Sequence, residues 1–331
     1  MAYYPEYDLL VAGGTDRFIN LYENGQESSL KAKYRSLDYS CGSKIVKQGS
    51  SIINSLCAID GDKLIVGQSD EEIKLYSLQR AGGGQSQSLD QPISKYHFGE
   101  SGVSNLCSLN DQNLFISSGF NRSISVWDTR QSQPILFFKD IHYDTITSID
   151  KFNSQIFASA SDDGFVNIWD LRMGEFVKQL RVEGNQRISK IKFVNSSSAP
   201  RDQSPMQPSA ASEFLVVAHS NQLSVLSSKD NFTRRVTFQI TGEADYYGEE
   251  SELRLHQVQS DWHTNLNTPV DKVPQGVGSI LDDQRNLAIN QLDYSQQDQS
   301  LYLGVKSCRD SALSPSVNTI SVWNIDFSKL F

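Results

Sequence analysis

Residues 155–172 read Gln-Ile-Phe-Ala-Ser-Ala-Ser-Asp-Asp-Gly-Phe-Val-Asn-Ile-Trp-Asp-Leu-Arg, and this stretch decides the fold. Two runs rich in apolar, aromatic and β-branched residues flank its Asp-Asp-Gly segment. Asp-Gly between such runs is among the strongest short signals for a β-hairpin. The stretch therefore predicts two antiparallel strands joined by a tight turn.

The same hairpin recurs along the chain. Aligning Trp127 with Trp169 requires no gap, and Tyr22 and Tyr76 anchor two further copies in the same register. A hairpin repeated at intervals of roughly 40 to 55 residues is typical of a β-propeller. We therefore expect an all-β fold, a single β-propeller of six or seven four-stranded blades that spans residues 1–331.

Charge and hydropathy limit the kinds of partner. The 331 residues include 30 Lys and Arg against 39 Asp and Glu, a net charge of −9. Phosphate binding needs a basic face, so nucleic acid is not expected as a direct ligand. No apolar run approaches the roughly 18 residues of a membrane-spanning helix, and the N-terminus lacks the pattern of a secretory signal. We expect an intracellular protein, cytoplasmic or nuclear, that is not inserted into a membrane.

Two segments interrupt the repeats. Residues 195–212 form a Ser/Pro-rich insert with too few apolar residues to order itself. Residues 241–286 form an acidic insert: either its residues 253–258 supply one strand of a degenerate seventh blade, or the region is a long excursion from a six-bladed ring. This insert is a candidate contact for a basic protein surface, and its candidate residues are Glu249, Glu250 and Glu252.

Blade one begins unusually, because the offset seen in blade four places its innermost strand at Met1. Folded proteins cover an unpaired strand edge. Three alternatives follow: residues 2–4 supply a short strand, residues 325–331 close the ring, or a partner protein donates a strand.

The dipeptides Trp127-Asp128 and Trp169-Asp170 resemble the name-giving motif of WD40 repeat proteins. The resemblance covers most of the chain apart from the two inserts. In that family each blade is often fastened by a network of His, Ser or Thr, Asp and Trp. A buried indole N–H, hydroxyl and imidazole need partners, which a turn aspartate helps to supply. For blade four the resemblance implies a structural network of His142, Ser159, Asp163 and Trp169.

Other blades depart from this pattern. Blade three has Asn121 in place of the aspartate, blades one and two have Tyr22 and Tyr76 in place of the tryptophan, and blade five has Leu226. We expect these blades to depend mainly on apolar packing.

Two successive W-D-x-R motifs give a sharper signal. Asp128 with Arg130, and Asp170 with Arg172, resemble the motif by which WD40 substrate receptors dock on the adaptor of cullin-RING ubiquitin ligases. A guanidinium held by its own carboxylate still presents donors to a partner. Alternatively, each pair is a solvated and self-satisfying surface feature, which is common in this fold.

Catalytic, metal-binding and cofactor-binding residues are not expected. The four cysteines show no CxxC spacing, and no Ser, Cys or Asp lies in a known nucleophile motif. The Gly-rich residues 81–88 have the composition of a linker rather than the spacing of a phosphate loop.

These observations predict a non-catalytic scaffold or adaptor that mediates protein–protein interactions within a multiprotein complex. The alternative is a substrate receptor of a cullin-RING ubiquitin ligase that docks through the paired W-D-x-R motifs. An enzyme would need acids and bases clustered in one pocket, and the sequence displays no such cluster.

Overall fold

The computed structural model describes residues 2–4, 9–15, 17–23, 45–47, 51–77, 92–99, 101–109, 113–182, 186–196, 212–242, 253–258, 287–295, 300–307 and 318–323. Within these ranges the chain forms 24 β-strands and no helix, so the all-β prediction is confirmed. The strands build six sheets in which strands that follow one another in sequence lie side by side. This up-and-down order is typical of propeller blades.

The first three sheets have four strands each. Sheet one contains β1 (Ala2–Tyr4), β2 (Leu9–Gly13), β3 (Phe18–Glu23) and β4 (Ile45–Lys47). Sheet two contains β5 (Ile53–Ile59), β6 (Lys63–Gln68), β7 (Glu72–Ser77) and β8 (Ser94–His97). Sheet three contains β9 (Val103–Ser108), β10 (Leu114–Gly119), β11 (Ile124–Asp128) and β12 (Leu136–Phe138).

Sheet four contains the hairpin from which the fold was predicted. Gly164 stands in its turn with φ of 80°, a left-handed conformation that costs glycine little. The strands of the sheet are β13 (Ile146–Lys151), β14 (Ile156–Ser161), β15 (Phe165–Asp170) and β16 (Glu175–Arg181).

Sheets five and six contain the remaining strands. Sheet five has five strands: β17 (Ile188–Ser196), β18 (Ser212–His219), β19 (Gln222–Ser227), β20 (Arg235–Gly242) and β21 (Leu253–Val258). Sheet six has three among the described residues: β22 (Leu287–Ser295), β23 (Ser300–Ser307) and β24 (Asn318–Trp323).

The strands of sheet five extend into both predicted inserts. Ser196 of β17 pairs with Ser212 of β18, so the Ser/Pro-rich segment that lies outside the described residues is 197–211. Leu253–Val258 is a strand, and it pairs with β20 as the fifth strand of sheet five. The alternative in which it supplies a strand of a seventh blade is therefore wrong.

The first strand answers part of the question about blade one. Ala2–Tyr4 pairs antiparallel with residues 9–11 of β2 and lies at one end of the strand order of sheet one. Tyr4 is buried, and its hydroxyl donates a hydrogen bond to the carbonyl oxygen of Lys63 at 2.7 Å. Residues 2–4 therefore supply the short strand of the first alternative, paired with residues 9–11. Residues 325–331, which the second alternative invoked, lie outside the described part of the chain.

The chain divides into two compact units. One consists of Met1–Asp163 with Asn167–Gln179, and the other of Gly164–Val166 with Leu180–Phe331. Within each unit the apolar cores lie between successive sheets: one cluster joins sheets two and three, another joins three and four, and another joins five and six. That all six sheets belong to one propeller stays a prediction.

Small residues set the approach of the first sheets to one another. A β-carbon on Gly13 would lie 2.8 Å from Ile53, and one on Gly67 would lie 2.7 Å from Val103. Carbon atoms do not pack this closely, so neither position has room for a β-carbon and both require glycine. Both occupy the same position in the repeat, three residues after the partner of Tyr22 or Tyr76.

Candidate protein-interaction sites

The four residues predicted as a network in blade four form one hydrogen-bonded chain. The indole Nε1 of Trp169 donates to Ser159 Oγ at 2.9 Å, and Ser159 Oγ lies 2.9 Å from His142 Nε2. His142 Nδ1 lies 3.1 Å from Asp163 Oδ2. The same carboxylate oxygen accepts the backbone N–H of Tyr143 at 2.8 Å. The contribution of this network to stability stays a prediction.

The hydrogen bonds run in one direction. Because Ser159 Oγ accepts from the indole, its own proton is available to His142 Nε2. For a neutral ring, Nε2 is then the acceptor, and the proton on Nδ1 is donated to Asp163. This tautomer gives every donor in the buried chain an acceptor. The low dielectric of the interior strengthens these hydrogen bonds.

Asn167 extends the same network, and the sequence analysis missed it. Its Nδ2 lies 3.4 Å from His142 Nε2 and 3.4 Å from the carbonyl oxygen of Ile141, while its Oδ1 accepts from Gln179 at 3.0 Å. Asn167 is fully buried in the middle of β15. A polar residue at a strand position that faces the core was the available signal.

Sheet three carries a shorter version. Trp127 Nε1 donates to Ser117 Oγ at 2.8 Å, which repeats the tryptophan–serine bond of sheet four. Asn121 Oδ1 accepts from the backbone N–H and hydroxyl of Ser123, so this side chain stabilises the turn in which it lies. In both sheets the indole stacks on a phenylalanine, with Phe115 at 6.1 Å and Phe157 at 5.7 Å between ring centroids.

Sheet five holds a second histidine chain that the sequence analysis did not find. His219 Nδ1 lies 3.0 Å from Gln186 Oε1, and its Nε2 lies 2.9 Å from Ser224 Oγ. Ser224 Oγ is 3.4 Å from Thr237 Oγ1. Burial, helped by the positive charge of Arg235, lowers the pKa of His219 from 6.5 to about 4. This ring is therefore neutral at physiological pH.

The two W-D-x-R motifs adopt the same local geometry. In the first, Asp128 Oδ1 accepts from Arg130 Nε and from the Arg130 backbone N–H, both at 2.9 Å. Arg130 Nη2 donates to the other carboxylate oxygen, so the pair is bidentate. In the second, Arg172 Nε and the Arg172 backbone N–H donate to Asp170 Oδ1 at 2.9 and 3.0 Å, and Nη2 again reaches Oδ2.

Each pair joins a buried carboxylate to an exposed guanidinium. The side chains of Asp128 and Asp170 are 5% and 10% exposed, whereas those of Arg130 and Arg172 are 71% and 63% exposed. Hydrogen bonding from each arginine holds the pKa of its aspartate below the ordinary value. The arginines thus keep free donor positions toward solvent while their orientation is fixed.

The other candidate residues lie outside the described part of the chain: Glu249, Glu250 and Glu252. In the ranges that the structure describes, no group of three His, Cys, Asp or Glu could hold a metal ion. No described segment is a helix long and apolar enough to cross a membrane. Cys57 and Cys107 are in the thiol form, and burial raises the pKa of Cys57 to about 11.

Comparison with known proteins finds the WD40 family, described as WD domain, G-beta repeat, at residues 91–128 and 133–170. The first match contains β8 to β11 and the second β12 to β15. Each sequence repeat therefore supplies the outer strand of one sheet and the three inner strands of the next.

The WD repeat domain-containing protein 83 homolog of Dictyostelium discoideum is 28% identical to this chain over 134 residues. The match covers 40% of this chain and 38% of that protein. Both matched repeats end on the Trp-Asp dipeptides that carried the resemblance. The chain contains WD40 repeats.

Proposed function

We propose that the chain is a non-catalytic scaffold that holds other proteins within a multiprotein complex. WD40 repeats are generally interaction domains rather than catalytic ones, which supports this class. Sheets that repeat along the chain give each loop its own fixed site, a geometry suited to several partners. The observation that carries the proposal is the pair of oriented, exposed arginines on a WD40 framework, Arg130 and Arg172.

The surface beside these arginines suits an acidic and apolar partner. Each guanidinium donates from Nε and one Nη to its own aspartate. Its other N–H groups can donate to a carboxylate or carbonyl of another protein. Large apolar side chains follow each arginine in sequence and are exposed: Ile135, Met173 and Phe176. Arginine, methionine and phenylalanine are enriched at protein–protein interfaces relative to the rest of the surface.

The test compares two double variants by affinity purification and mass spectrometry. Arg130→Ala with Arg172→Ala should lose at least one partner that wild type retains. The matched control is Arg187→Ala with Arg234→Ala, which removes two exposed arginines that lie outside the W-D-x-R motifs. Equal partner sets for both double variants would contradict the role of Arg130 and Arg172, whereas the absence of any specific partner for wild type would contradict the scaffold itself.

A second candidate function is a substrate receptor of a cullin-RING ubiquitin ligase. The identical geometry of the two Asp–Arg pairs favours it, because docking through paired motifs needs both arginines presented in the same way. Recovery of the ligase adaptor by wild type and its loss in the Arg130→Ala, Arg172→Ala variant would support this function. Unchanged recovery, or no adaptor at all, would reject it.

The acidic insert at residues 241–286 is proposed as a separate contact for a basic protein surface. The support is compositional, since most of the chain's excess negative charge lies there. Replacing Glu249, Glu250 and Glu252 with glutamine should weaken a partner that the arginine variants leave unaffected. We also propose a cytoplasmic or nuclear location, which fluorescence microscopy of the tagged chain would check.

A further inference from the structure

Phe120 and Tyr143 are aromatic residues that the packed sheets do not use. Phe120 is 51% exposed and Tyr143 is 81% exposed, whereas Trp127 and Trp169 are almost fully buried. Both exposed residues stand at the turn edge, where the turns between the second and third strands of the sheets meet the loops that enter the next sheet. This is the opposite end of β11 from Arg130.

The turn edge is held together by hydrogen bonds between its loops. The backbone N–H of Phe120 donates to the carbonyl oxygen of Gly102 at 3.2 Å. The backbone N–H of Tyr143 donates to Asp163, and its carbonyl oxygen accepts from Arg122 Nη1 at 3.4 Å. Both aromatic residues are therefore carried on fixed backbone, which reduces the entropy that binding would otherwise cost.

The charge of this edge is negative. Its loops are linked by backbone or side-chain hydrogen bonds, and their described residues carry six carboxylates and one guanidinium: 69–71, 98–99, 101–102, 119–123, 140–145 and 161–163. The one guanidinium, Arg122, is paired with Asp140 at 2.8 Å. Asp140 thereby offsets the charge of Arg122, and Asp144 remains exposed next to Tyr143.

Aromatic faces and carboxylates attract the same kind of group. A lysine or arginine placed over Phe or Tyr is stabilised by the ring quadrupole, and neighbouring carboxylates add Coulomb attraction. An acidic partner, or nucleic acid, would meet like charge at this edge. The complementarity therefore selects a basic protein segment.

We propose that Phe120 and Tyr143 form a docking surface for a segment of a partner protein that carries lysine or arginine next to an apolar side chain. The inference rests on the proposed scaffold function but concerns a different surface from the arginine pairs. It goes beyond that function because it specifies the chemistry of the partner.

The test is selection of random peptides displayed on phage against the full chain. Peptides retained by wild type and lost by the variant Phe120→Ala with Tyr143→Ala should be enriched at least threefold in lysine and arginine over the starting library. The best such peptide, made synthetically, should bind the double variant at least tenfold more weakly, measured by fluorescence anisotropy. Raising salt from roughly 50 to 200 mM should weaken its binding to wild type, because screening shortens the range of the charges.

Matched controls separate this surface from other exposed groups. Phe137→Ala with Phe176→Ala removes two aromatic residues that are similarly exposed, and peptide binding should persist. Binding should persist also in the Arg130→Ala, Arg172→Ala variant, so failure of the arginine contact and failure of this surface are distinguishable. No peptide lost by the Phe120 and Tyr143 variant, or lost peptides that are acidic or uncharged, would overturn the proposal.

Discussion

Sheets four and five both bury a histidine, and both join its Nε2 to a serine hydroxyl at 2.9 Å. They differ at Nδ1. In sheet four Nδ1 faces the carboxylate of Asp163, and in sheet five it faces the neutral amide of Gln186. The contact at Nε2 is the same, but only sheet four places a carboxylate at Nδ1.

The difference shows that the same buried histidine–serine contact can be completed at Nδ1 by a carboxylate in one repeat and by an amide in another. A carboxylate next to imidazole favours the charged form, whereas burial beside an amide disfavours it. Sheet four matches the pattern expected for the family, and sheet five reaches a similar structure with residues that carry no family signature. The following predictions test this comparison.

The largest effect is expected from acid. Since the unfolded chain binds a proton on His219 near pH 6.5 and the folded chain binds it near pH 4, unfolding free energy should fall as pH drops through this window. The total loss is roughly 3 kcal/mol, and above pH 6.5 the contribution is fully present. Urea denaturation from pH 7.5 to 4.5 would measure most of it, with His219→Gln as the control that removes the share of His219 from the slope. An equal slope in that variant would contradict the assignment.

Removing the carboxylate of sheet four should be the next largest effect. Asp163→Ala leaves the Nδ1–H of His142 and the N–H of Tyr143 without their acceptor, at a cost of about 2–3 kcal/mol. Gln186→Ala in sheet five removes a neutral acceptor and should cost about 1 kcal/mol. Hydrogen exchange of β14 and β18 would report each site locally. Equal losses would show that charge does not distinguish the two networks.

A substitution can convert sheet five toward sheet four. Gln186→Glu places a carboxylate next to His219 Nδ1, which should raise the pKa of this histidine. The acid-induced loss of stability should then shrink by about 1–2 kcal/mol. NMR titration of the His219 ring protons measures the pKa directly. An unchanged or lower value would show that burial alone determines the response.

The smallest effect compares sheets three and four. Trp127→Phe and Trp169→Phe each remove one indole N–H that donates to a serine, at about 1 kcal/mol. Because the Ser159 hydroxyl also donates a hydrogen bond to His142, the loss of unfolding free energy in sheet four should be larger by about 0.5 kcal/mol. Denaturation midpoints of both variants, with Phe138→Leu as a packing control, would resolve the difference. A larger loss in sheet three would argue against a cooperative chain.

Much of the fold could be predicted because its signals are local. The Asp-Asp-Gly turn and the alternating strands around it specify a hairpin within eighteen residues, 155–172. The Trp-Asp dipeptides then align one hairpin with the next. The network residues of blade four followed from the family pattern rather than from spacing alone.

The rest could not be predicted because it depends on distant contacts. His219 meets Gln186 from 33 residues away, and a glutamine carries no motif that would mark it as a partner. The position of β1 is held by Tyr4, whose hydroxyl reaches a carbonyl 59 residues away. The pairing of β21 with β20 depends on register, which an acidic and irregular sequence does not reveal.

The close contacts at Gly13 and Gly67 limit how the repeats of such a chain could be duplicated or shuffled. Each glycine receives a specific neighbour, Ile53 or Val103, from the following sheet. A sheet copied to another place in the chain must therefore carry a glycine that faces the following sheet and a branched side chain that packs on the glycine of the preceding sheet. Interchange should succeed for matched adjacent pairs and fail for units moved singly.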